Sequence, residues 1–222
     1  MISTSGPIIR WRPACWMRVT GDDAGSFLQG QFTNDLRVLP GAGAVYGLWL
    51  TLKGKVLADS FVLRGAELNE FWIGSYFSAA GVIRERLESH VIADDVTIED
   101  ETDRWAGVSS FGPAVPGEAM GAVAEGFRFR GRRERAENVE WVYRVGTTEP
   151  TGSEISAEET ERRRIAAGVP AVPMDVGPAD LPNEAGLEAE AISYTKGCYL
   201  GQEVMARLKS MGQVRRRLVR VA

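Results

Sequence analysis

Short apolar runs separated by turn residues recur along the chain and predict β-strands joined by a few helices. Residues 45–52 and 56–64 are two of these runs, and the Lys53-Gly54-Lys55 segment between them predicts a hairpin turn. These two runs are therefore expected to pair as antiparallel strands. Further runs predict strands at residues 70–73, 96–98, 105–108, 141–145 and 214–221.

Helical spacing is confined to a few segments. Asp22 or Asp23 is placed to cap a short helix whose buried face carries Ala24, Phe27 and Leu28. Amphipathic spacing predicts further helices at residues 75–91 and 201–208. Residues 112–131 are rich in glycine, alanine and proline and are expected to form loops with one short helix.

A capping-box signature begins another predicted helix at Ser156-Ala157-Glu158-Glu159. That helix is expected to end at Gly168, with Pro170 just beyond it. Residues 171–182 contain three prolines and no periodicity, so they are expected to be irregular. The order strand, strand, helix repeats loosely along the chain and favours an α+β fold with antiparallel sheets.

Composition describes a folded chain with ordinary surface charge. The 222 residues are 44% hydrophobic and 25% charged, which allows one large domain or two small ones. The net charge of −4 argues against a general nucleic-acid coat. No apolar run approaches the ~20 residues of a membrane span, and the start lacks a secretory pattern. We therefore predict a cytoplasmic protein without a membrane partner.

The few cysteine and histidine residues exclude several kinds of site. Two cysteines and one histidine do not suffice for a four-thiolate zinc site or a two-histidine metal site, so no metal is predicted. A Ser-His-Asp triad is improbable, because His90 would have to be its base. Walker A, GxGxxG, HExxH, CxxC and GxSxG motifs are absent from the sequence.

The most unusual stretch is Lys196-Gly197-Cys198-Tyr199-Leu200-Gly201-Gln202-Glu203, here called the KGCYLGQE segment. Two glycines bracket a cysteine just before a predicted helix, and Lys196 adds a positive charge. A helix N-terminus and a nearby cation both favour the thiolate form. We predict that Cys198 is reactive or able to bind a ligand, against the alternative of a small buried residue. Cys15 has no such setting and is expected to be buried.

Asp59 is the second unusual residue, because it interrupts an apolar run and is costly to bury unpaired. Strand alternation places it on one face with Leu57 and Phe61. Either a cavity or a structural hydrogen-bonding role explains this placement. Among the arginines, Arg164 is predicted to point inward, whereas residues 128–135 and 215–217 are expected to be surface charge or an RNA-facing surface.

The KGCYLGQE segment closely resembles the signature of the YgfZ family, folate-binding relatives of the glycine-cleavage T-protein, an aminomethyltransferase. Three further segments extend the resemblance over almost the whole chain: residues 19–36, 53–64 and 164–168. The resemblance implies intertwined ferredoxin-like α+β units around a central tetrahydrofolate channel. It also implies that Tyr46, Asp59 and Arg164 face the folate, as matching residues do in the T-protein.

The chain also departs from the T-protein pattern. The T-protein has no cysteine at the position of Cys198 and normally carries arginine where Gln202 stands. Gly197 departs from it as well, and Ala58 replaces the first residue of its Asp pair. The resemblance implies a folate-binding core over residues 1–210, with lobes 1–97 and 98–158 and a return to the central site over 159–210. Residues 211–222 would begin a shortened C-terminal segment, with the family's β-barrel absent or vestigial.

The leading hypothesis is a YgfZ-like protein that binds tetrahydrofolate, or a one-carbon derivative of it, and supports iron–sulfur cluster assembly or repair. In this hypothesis Cys198, Lys196 and Asp59 perform the chemistry. The folate site is lined by Tyr46, Asp59, Arg164, Tyr199, Gln202 and Glu203. The implied partners are iron–sulfur clients or assembly proteins and tRNA-modifying enzymes. The alternatives are a folate-dependent aminomethyl or one-carbon transferase and a non-catalytic RNA or protein adaptor.

Overall fold

The computed structural model describes residues 6–39, 43–112, 119–135, 137–212 and 214–220. The strands in chain order are β1 (Ile8–Trp11), β2 (Cys15–Thr20), β3 (Ala44–Leu50), β4 (Val56–Arg64), β5 (Phe71–Ser75), β6 (Thr97–Asp100), β7 (Trp105–Phe111), β8 (Gly121–Val123), β9 (Gly126–Arg130) and β10 (Asn138–Arg144). The α-helices are α1 (Ala24–Gln31), α2 (Ala80–Glu88), α3 (Ala157–Ala166), α4 (Glu188–Ala191) and α5 (Gln202–Met211). Short 3-10 helices are formed by Leu36–Val38, Thr102–Arg104 and Pro182–Glu184.

The strands form two antiparallel sheets. The first has the order β3-β4-β5-β2-β6 and the second the order β1-β7-β10-β9-β8. β1 and β2 are neighbours in the chain but lie in different sheets, so the polypeptide crosses between the sheets near its start. The α+β class with antiparallel sheets is confirmed.

An aromatic cluster joins the two sheets. It combines residues of the first sheet with residues of the second: Trp16, Phe61, Leu63, Trp72, Trp105, Phe127, Phe129 and Val142. The opposite face of the first sheet packs on α1 and α2 through Phe27, Leu28, Ile83 and Leu87. Burial of this apolar area on both faces of β4 and β5 holds the first sheet at the centre of the molecule.

The β3–β4 hairpin forms as predicted. Thr51 N donates to Lys55 O at 2.9 Å, and Gly54 takes the positive φ of +71° that the tight turn requires. Phe61 faces the second sheet, whereas Ala58 and Val62 pack toward the helices. The alternation therefore directs Asp59 toward the space between the sheets, together with Phe61.

The helices differ in detail from the expected ones. Ser156 Oγ caps α3 by accepting from Glu159 N at 3.1 Å, and the chain leaves that helix at Gly168 with φ +64°, both as predicted. At α1 the Asp23 carboxylate makes no cap bond and accepts from Asp95 N instead. α2 is shorter than the predicted helix, because Ser75 ends β5 and residues 76–79 form a bend before Ala80.

Two predicted elements are wrong. In the described part of residues 112–131 the chain forms the β8–β9 hairpin and no helix, because Phe127 and Phe129 alternate with arginines and enter the inter-sheet cluster. Residues 113–118 lie outside the described residues. Residues 214–220 form no strand; Leu218 N donates to Glu184 O and the segment has no strand partner among the described residues. β1 and β2 were not predicted.

No helix in the described ranges is long and apolar enough to span a bilayer.

Candidate functional site

A cavity opens where β4, the turn after β5 and the end of α3 meet the chain that follows β9. The space between the lining atoms, counted with the open mouth, is about 330 Å³, of which about 20 Å³ is wide enough for the centre of a water-sized molecule. Both charge signs and aromatic rings face it. The lining residues are Asp59, Tyr76, Phe77, Arg132, Arg133, Thr160, Glu161, Arg164, Val169, Pro170 and Ala171.

Asp59 is a buried carboxylate held by neutral donors. Ser75 Oγ and Ser78 Oγ donate to Oδ1 at 3.0 and 2.7 Å, and Tyr46 OH donates to Oδ2 at 3.0 Å. Burial raises the pKa of Asp59 because it penalises the charged form, although the three hydroxyls offset part of that effect. A carboxylate with this support retains acceptor capacity toward the cavity.

Arg132 lies over the ring of Tyr46, with its guanidinium carbon 4.1 Å from the ring centroid. Nη2 forms an ion pair with Glu190 at 2.5 Å, and Nη1 donates to Pro170 O. Its Nε is buried and has no hydrogen-bond partner among the described residues. An unpaired buried donor on a cavity wall indicates a place for a ligand acceptor or an ordered water.

Arg164 is buried at the end of α3 and reaches the cavity wall. It forms ion pairs with Asp175 at 2.6 Å and with Glu161, and Nη1 also donates to Val169 O. Arg162 and Arg163 pair with Glu159 instead. The structure therefore places Arg164 at the cavity with its charge already balanced by two carboxylates.

A second buried acid, Glu140, lies on β10 behind the cavity wall and is fully buried. It accepts from Tyr76 OH at 2.7 Å, Ser109 Oγ at 2.6 Å and Asn138 Nδ2 at 2.7 Å. Burial raises the pKa of Glu140 for the same reason as for Asp59. Each sheet thus contributes one buried carboxylate surrounded by neutral donors.

Lys196 attaches the KGCYLGQE segment to α1 and the residues after it. Its Nζ donates to the carbonyl oxygens of Gln29, Phe32 and Asn34, at 2.5, 2.6 and 3.0 Å. Burial lowers the pKa of Lys196 to about 8. The amine is therefore occupied by backbone oxygens, and its geometry is that of an anchor for the loop.

The rest of the segment forms a turn into α5. Gly201 has φ +85°, and a Cβ there would lie 2.8 Å from Thr51 O, so both conformation and space require glycine. Gln202 Oε1 accepts from Tyr199 N at 3.2 Å. The Tyr199 side chain is buried in the cluster around α5. Cys198 and Glu203 are exposed, so the alternative of a buried apolar Cys198 does not apply.

Asn34 connects this segment to the cavity. Its carbonyl accepts from Lys196, and its side-chain amide donates to Tyr46 O at 2.8 Å and Glu190 O at 3.0 Å. Glu190 in turn pairs with Arg132. A continuous set of polar contacts therefore connects the KGCYLGQE segment with the cavity wall.

The structure brings some of the predicted site residues together and leaves others apart. Asp59 and Arg164 line the cavity. Tyr46 donates a hydrogen bond to Asp59, and the Arg132 guanidinium lies over the Tyr46 ring. The predicted residues of the KGCYLGQE segment are not among those that line it: Lys196, Cys198, Tyr199, Gln202 and Glu203. Their proposed roles in chemistry and folate binding stay predictions.

Sequence reasoning missed several cavity residues. Residues 128–135 were expected to be surface charge, but Arg132 lines the cavity and Arg133 is buried in its wall. The signal was present in the run Phe127-Arg128-Phe129-Arg130, whose strand period indicates a buried face beside these arginines. Glu140 interrupts the apolar run of β10 as Asp59 interrupts β4, so the same criterion identifies it.

Two smaller predictions have clear outcomes. Cys15 is buried as expected, and burial raises the pKa of its thiol. Within residues 215–217, Arg216 is ion-paired with Asp180 and Glu184, so this residue is not free surface charge.

No group of three metal-ligating side chains occurs among the residues that the structure describes.

A protein-family model described as the GCVT N-terminal domain matches residues 15–177 of the chain. The chain belongs to this family. As a member of the GCVT N-terminal domain family, it contains within the matched range both Asp59 and Arg164 of the cavity. The KGCYLGQE segment lies beyond that range.

Curated proteins similar to this chain carry the names IBA57 and YgfZ. The human protein named iron-sulfur cluster assembly factor IBA57, mitochondrial, is 30% identical over 91% of this chain and 62% of its own length. The Vibrio atlanticus protein named tRNA-modifying protein YgfZ is 28% identical over 91% of this chain and 66% of its own length. The chain therefore spans about two thirds of the length of these relatives. The resemblance to the YgfZ family is confirmed.

A solved structure supports the fold. The glycine cleavage system aminomethyltransferase T from Bartonella henselae superposes with a TM-score of 0.71, covering 92% of this chain and 64% of that one. At 15% sequence identity this likeness shows the T-protein-like fold alone.

Proposed function

We propose that this protein binds a reduced folate in the cavity between its sheets and supports the assembly or repair of iron–sulfur clusters. The observation that carries the proposal is Asp59, a buried carboxylate on a cavity wall, supported by three hydroxyl donors and flanked by arginines. The names of the IBA57 and YgfZ relatives support the iron–sulfur and tRNA-modification parts of the proposal.

The cavity residues fit a reduced folate chemically. A pterin ring presents amino and ring N–H donors, which suit the remaining acceptor capacity of Asp59. Its carbonyl and the carboxylates of the glutamate portion suit guanidinium donors such as the unpaired Nε of Arg132. The rings of Tyr76 and Phe77 offer aromatic faces for stacking. When bound, the folate would supply one-carbon chemistry, while the protein residues bind and orient it.

Within this proposal the exposed Cys198 thiol meets the partner, and Lys196 holds the loop that presents it. Tyr199 and Gln202 shape that loop, and Glu203 adds an exposed carboxylate at its end. The proposed partners are iron–sulfur client or assembly proteins, among them tRNA-modifying enzymes. The proposed compartment is the cytoplasm, to be checked by imaging the tagged protein in its own host.

Calorimetric titration with tetrahydrofolate tests the cavity. Asp59→Ala is expected to weaken binding at least tenfold, because a buried charged acceptor is removed. Asp94→Ala is the matched control, since Asp94 is exposed and is not among the residues that line the cavity. Absence of saturable binding to the unaltered protein, or equal affinity in Asp59→Ala, contradicts the folate site.

Complementation tests the thiol. Cys198→Ala is expected to fold normally, because the side chain is exposed, and to fail to restore iron–sulfur enzyme activity in a strain that lacks its YgfZ protein. Thermal unfolding of the variant provides the control for folding. Full complementation by this variant would remove the thiol from the mechanism.

Folate-dependent aminomethyl or one-carbon transfer is the second candidate, favoured by the burial of Asp59 and its raised pKa. A carboxyl group of this kind can hold a proton beside a transferring nitrogen. Turnover of an aminomethyl-carrying protein with tetrahydrofolate, lost in Asp59→Asn, would support it. An RNA or protein adaptor is less supported, because Arg132 and Arg133 face the cavity; salt-sensitive tRNA binding without folate binding would favour it.

A further inference from the structure

Arg133 differs from the other two arginines of the cavity. It is 8% exposed and lines the cavity, yet no carboxylate lies within ion-pair distance of it among the described residues. Arg132 and Arg164 each have such a partner. Burying a guanidinium without a counter-ion is costly unless something compensates the charge.

The protein holds the Arg133 guanidinium firmly. Its carbon atom lies 4.2 Å from the ring centroid of Tyr76 and 5.1 Å from that of Trp11. Nε donates to Ser109 Oγ at 2.7 Å, and Ser109 Oγ donates to Glu140 at 2.6 Å. The rings attract the cation and define its plane, while the hydroxyl defines its rotation.

These contacts leave the outer edge of the guanidinium free. The described residues make no hydrogen bond to Nη1 or Nη2, whereas Nε is engaged. Glu140 and Glu161 compensate the charge only from a distance, because neither carboxylate lies within ion-pair range of Arg133. Two coplanar amino groups with no protein acceptor match the spacing of a carboxylate.

We propose that Arg133 is the carboxylate-recognition residue of the cavity, binding a carboxylate of the ligand's glutamate portion, and that Ser109 and Glu140 position it. This inference rests on the proposed folate function and adds its specificity: the preferred ligand is a pteridine that carries a glutamate, and not the pteridine alone. Arg132 and Arg164 are already neutralised and contribute less to this preference.

Comparing two ligands tests the assignment. Tetrahydrofolate and its bis-amide, in which both glutamate carboxylates are replaced by carboxamides, differ only in the charged groups of the glutamate portion, so their ratio of dissociation constants isolates the contribution of those carboxylates. We expect the unaltered protein to bind tetrahydrofolate at least tenfold more tightly, the size of one charge-assisted contact. Arg133→Gln is expected to bring the ratio close to one by weakening tetrahydrofolate alone. Arg130→Gln is the matched control, because Arg130 is exposed on the same strand segment.

Each outcome separates the inference from the function on which it rests. A ratio near one in the unaltered protein, or equal weakening of both ligands in Arg133→Gln, overturns the inference and leaves the folate site standing. Binding of neither ligand overturns both. Ser109→Ala keeps the Arg133 guanidinium but removes the hydroxyl that accepts from its Nε. This variant is therefore expected to lower the ratio of dissociation constants only in part. If Arg133→Gln does not fold, an unchanged ratio in Ser109→Ala overturns the inference.

Discussion

Asp59 and Glu140 show how single residues shape this molecule. Each lies in a strand of otherwise apolar sequence, and each is surrounded by three neutral donors rather than by a direct ion pair. Hydroxyl and amide donors satisfy a buried carboxylate without adding a second buried charge. The folded state therefore favours the protonated form of both acids more than the unfolded chain does.

The first prediction concerns the pH dependence of stability through Asp59. The pKa of Asp59 in the folded state lies above the ordinary value of 3.8, so the folded state binds this proton more tightly than the unfolded chain does. The protein therefore loses stability as pH rises from 3.8 through the folded-state pKa. Asp59→Asn removes this loss. The free energy of unfolding of the variant, measured in urea, should gain on that of the unaltered protein as pH rises above the ordinary carboxyl pKa of 3.8.

Asp35 is the control of opposite sign. Bonds from Arg37 lower the pKa of Asp35, so its contribution is present above the ordinary pKa and lost as pH falls. Asp35→Asn should therefore lose stability at neutral pH and match the unaltered protein in acid. A difference for Asp59→Asn that does not change with pH would show that folding does not raise the pKa of Asp59.

The second prediction concerns Lys196, whose pKa is lowered by burial from 10.5 to about 8. The folded state holds this proton less tightly than the unfolded chain does. The free energy of unfolding therefore rises as pH increases from about 8 to 10.5. In Lys196→Met three carbonyls lose their donor, and the deficit in unfolding free energy should grow from pH 8 to about 1–3 kcal/mol near pH 10.

Lys209→Met is the matched control, because Lys209 lies 4.1 Å from the Tyr194 ring but donates to no carbonyl cluster. Its effect on the free energy of unfolding should be small. A flat pH profile for Lys196→Met would show that folding does not lower the pKa of Lys196, and an unchanged unfolding free energy at every pH would contradict the anchoring role of the amine.

At the scale of elements, the ends of helices decide which side chains reach the cavity. α3 begins at the Ser156 cap and ends at Gly168, which directs the chain back so that Val169 O meets Arg164. The cap and the glycine are both legible in the sequence, because each depends on chemistry within a few residues. The irregular chain after α3 then supplies Pro170 and Ala171 to the cavity wall.

The third prediction compares two glycine-to-alanine changes. Gly168 has φ +64°, so Gly168→Ala should destabilise the protein by about 1 kcal/mol, although no atom obstructs the added methyl group. Gly30 lies inside α1, and a Cβ added there would meet no atom within 4 Å, so Gly30→Ala should stabilise by about 0.5 kcal/mol. Urea unfolding measures both, and changes of the same sign would contradict this account of the two positions.

At the scale of the whole molecule, the two sheets depend on one shared aromatic cluster. Phe129 of β9 lies with its ring centroid 4.9 Å from that of Phe61 of β4. The two sheets are therefore joined by the apolar core at their interface. Each sheet on its own would expose a face of large aromatic side chains.

The fourth prediction is that the sheets unfold together. Phe129→Ala should lower the free energy of unfolding by about 3–5 kcal/mol, because it leaves a cavity between the sheets. Tryptophan fluorescence and far-UV circular dichroism should report one coincident transition. Leu68→Ala is the control, since Leu68 is 85% exposed, and two separate transitions in Phe129→Ala would show that the lobes fold independently.

Sequence and structure agree where the information is local. The β3–β4 hairpin, the cap and end of α3, and the side of β4 that carries Asp59 all follow from short-range pattern. The β8–β9 hairpin was missed because its glycine-rich surroundings resemble a loop, and the segment at residues 214–220 was taken for a strand although no partner strand is available to it.

The sequence by itself determined the fold class, the family and two of the cavity residues, Asp59 and Arg164, because periodicity and motif spacing are properties of neighbouring residues. Only the tertiary structure decided that Arg132 and Arg133 enter the same cavity, and that Glu140 supports them from the second sheet. Contacts of this kind join residues far apart in the chain, and which of them form is decided by how the two sheets pack.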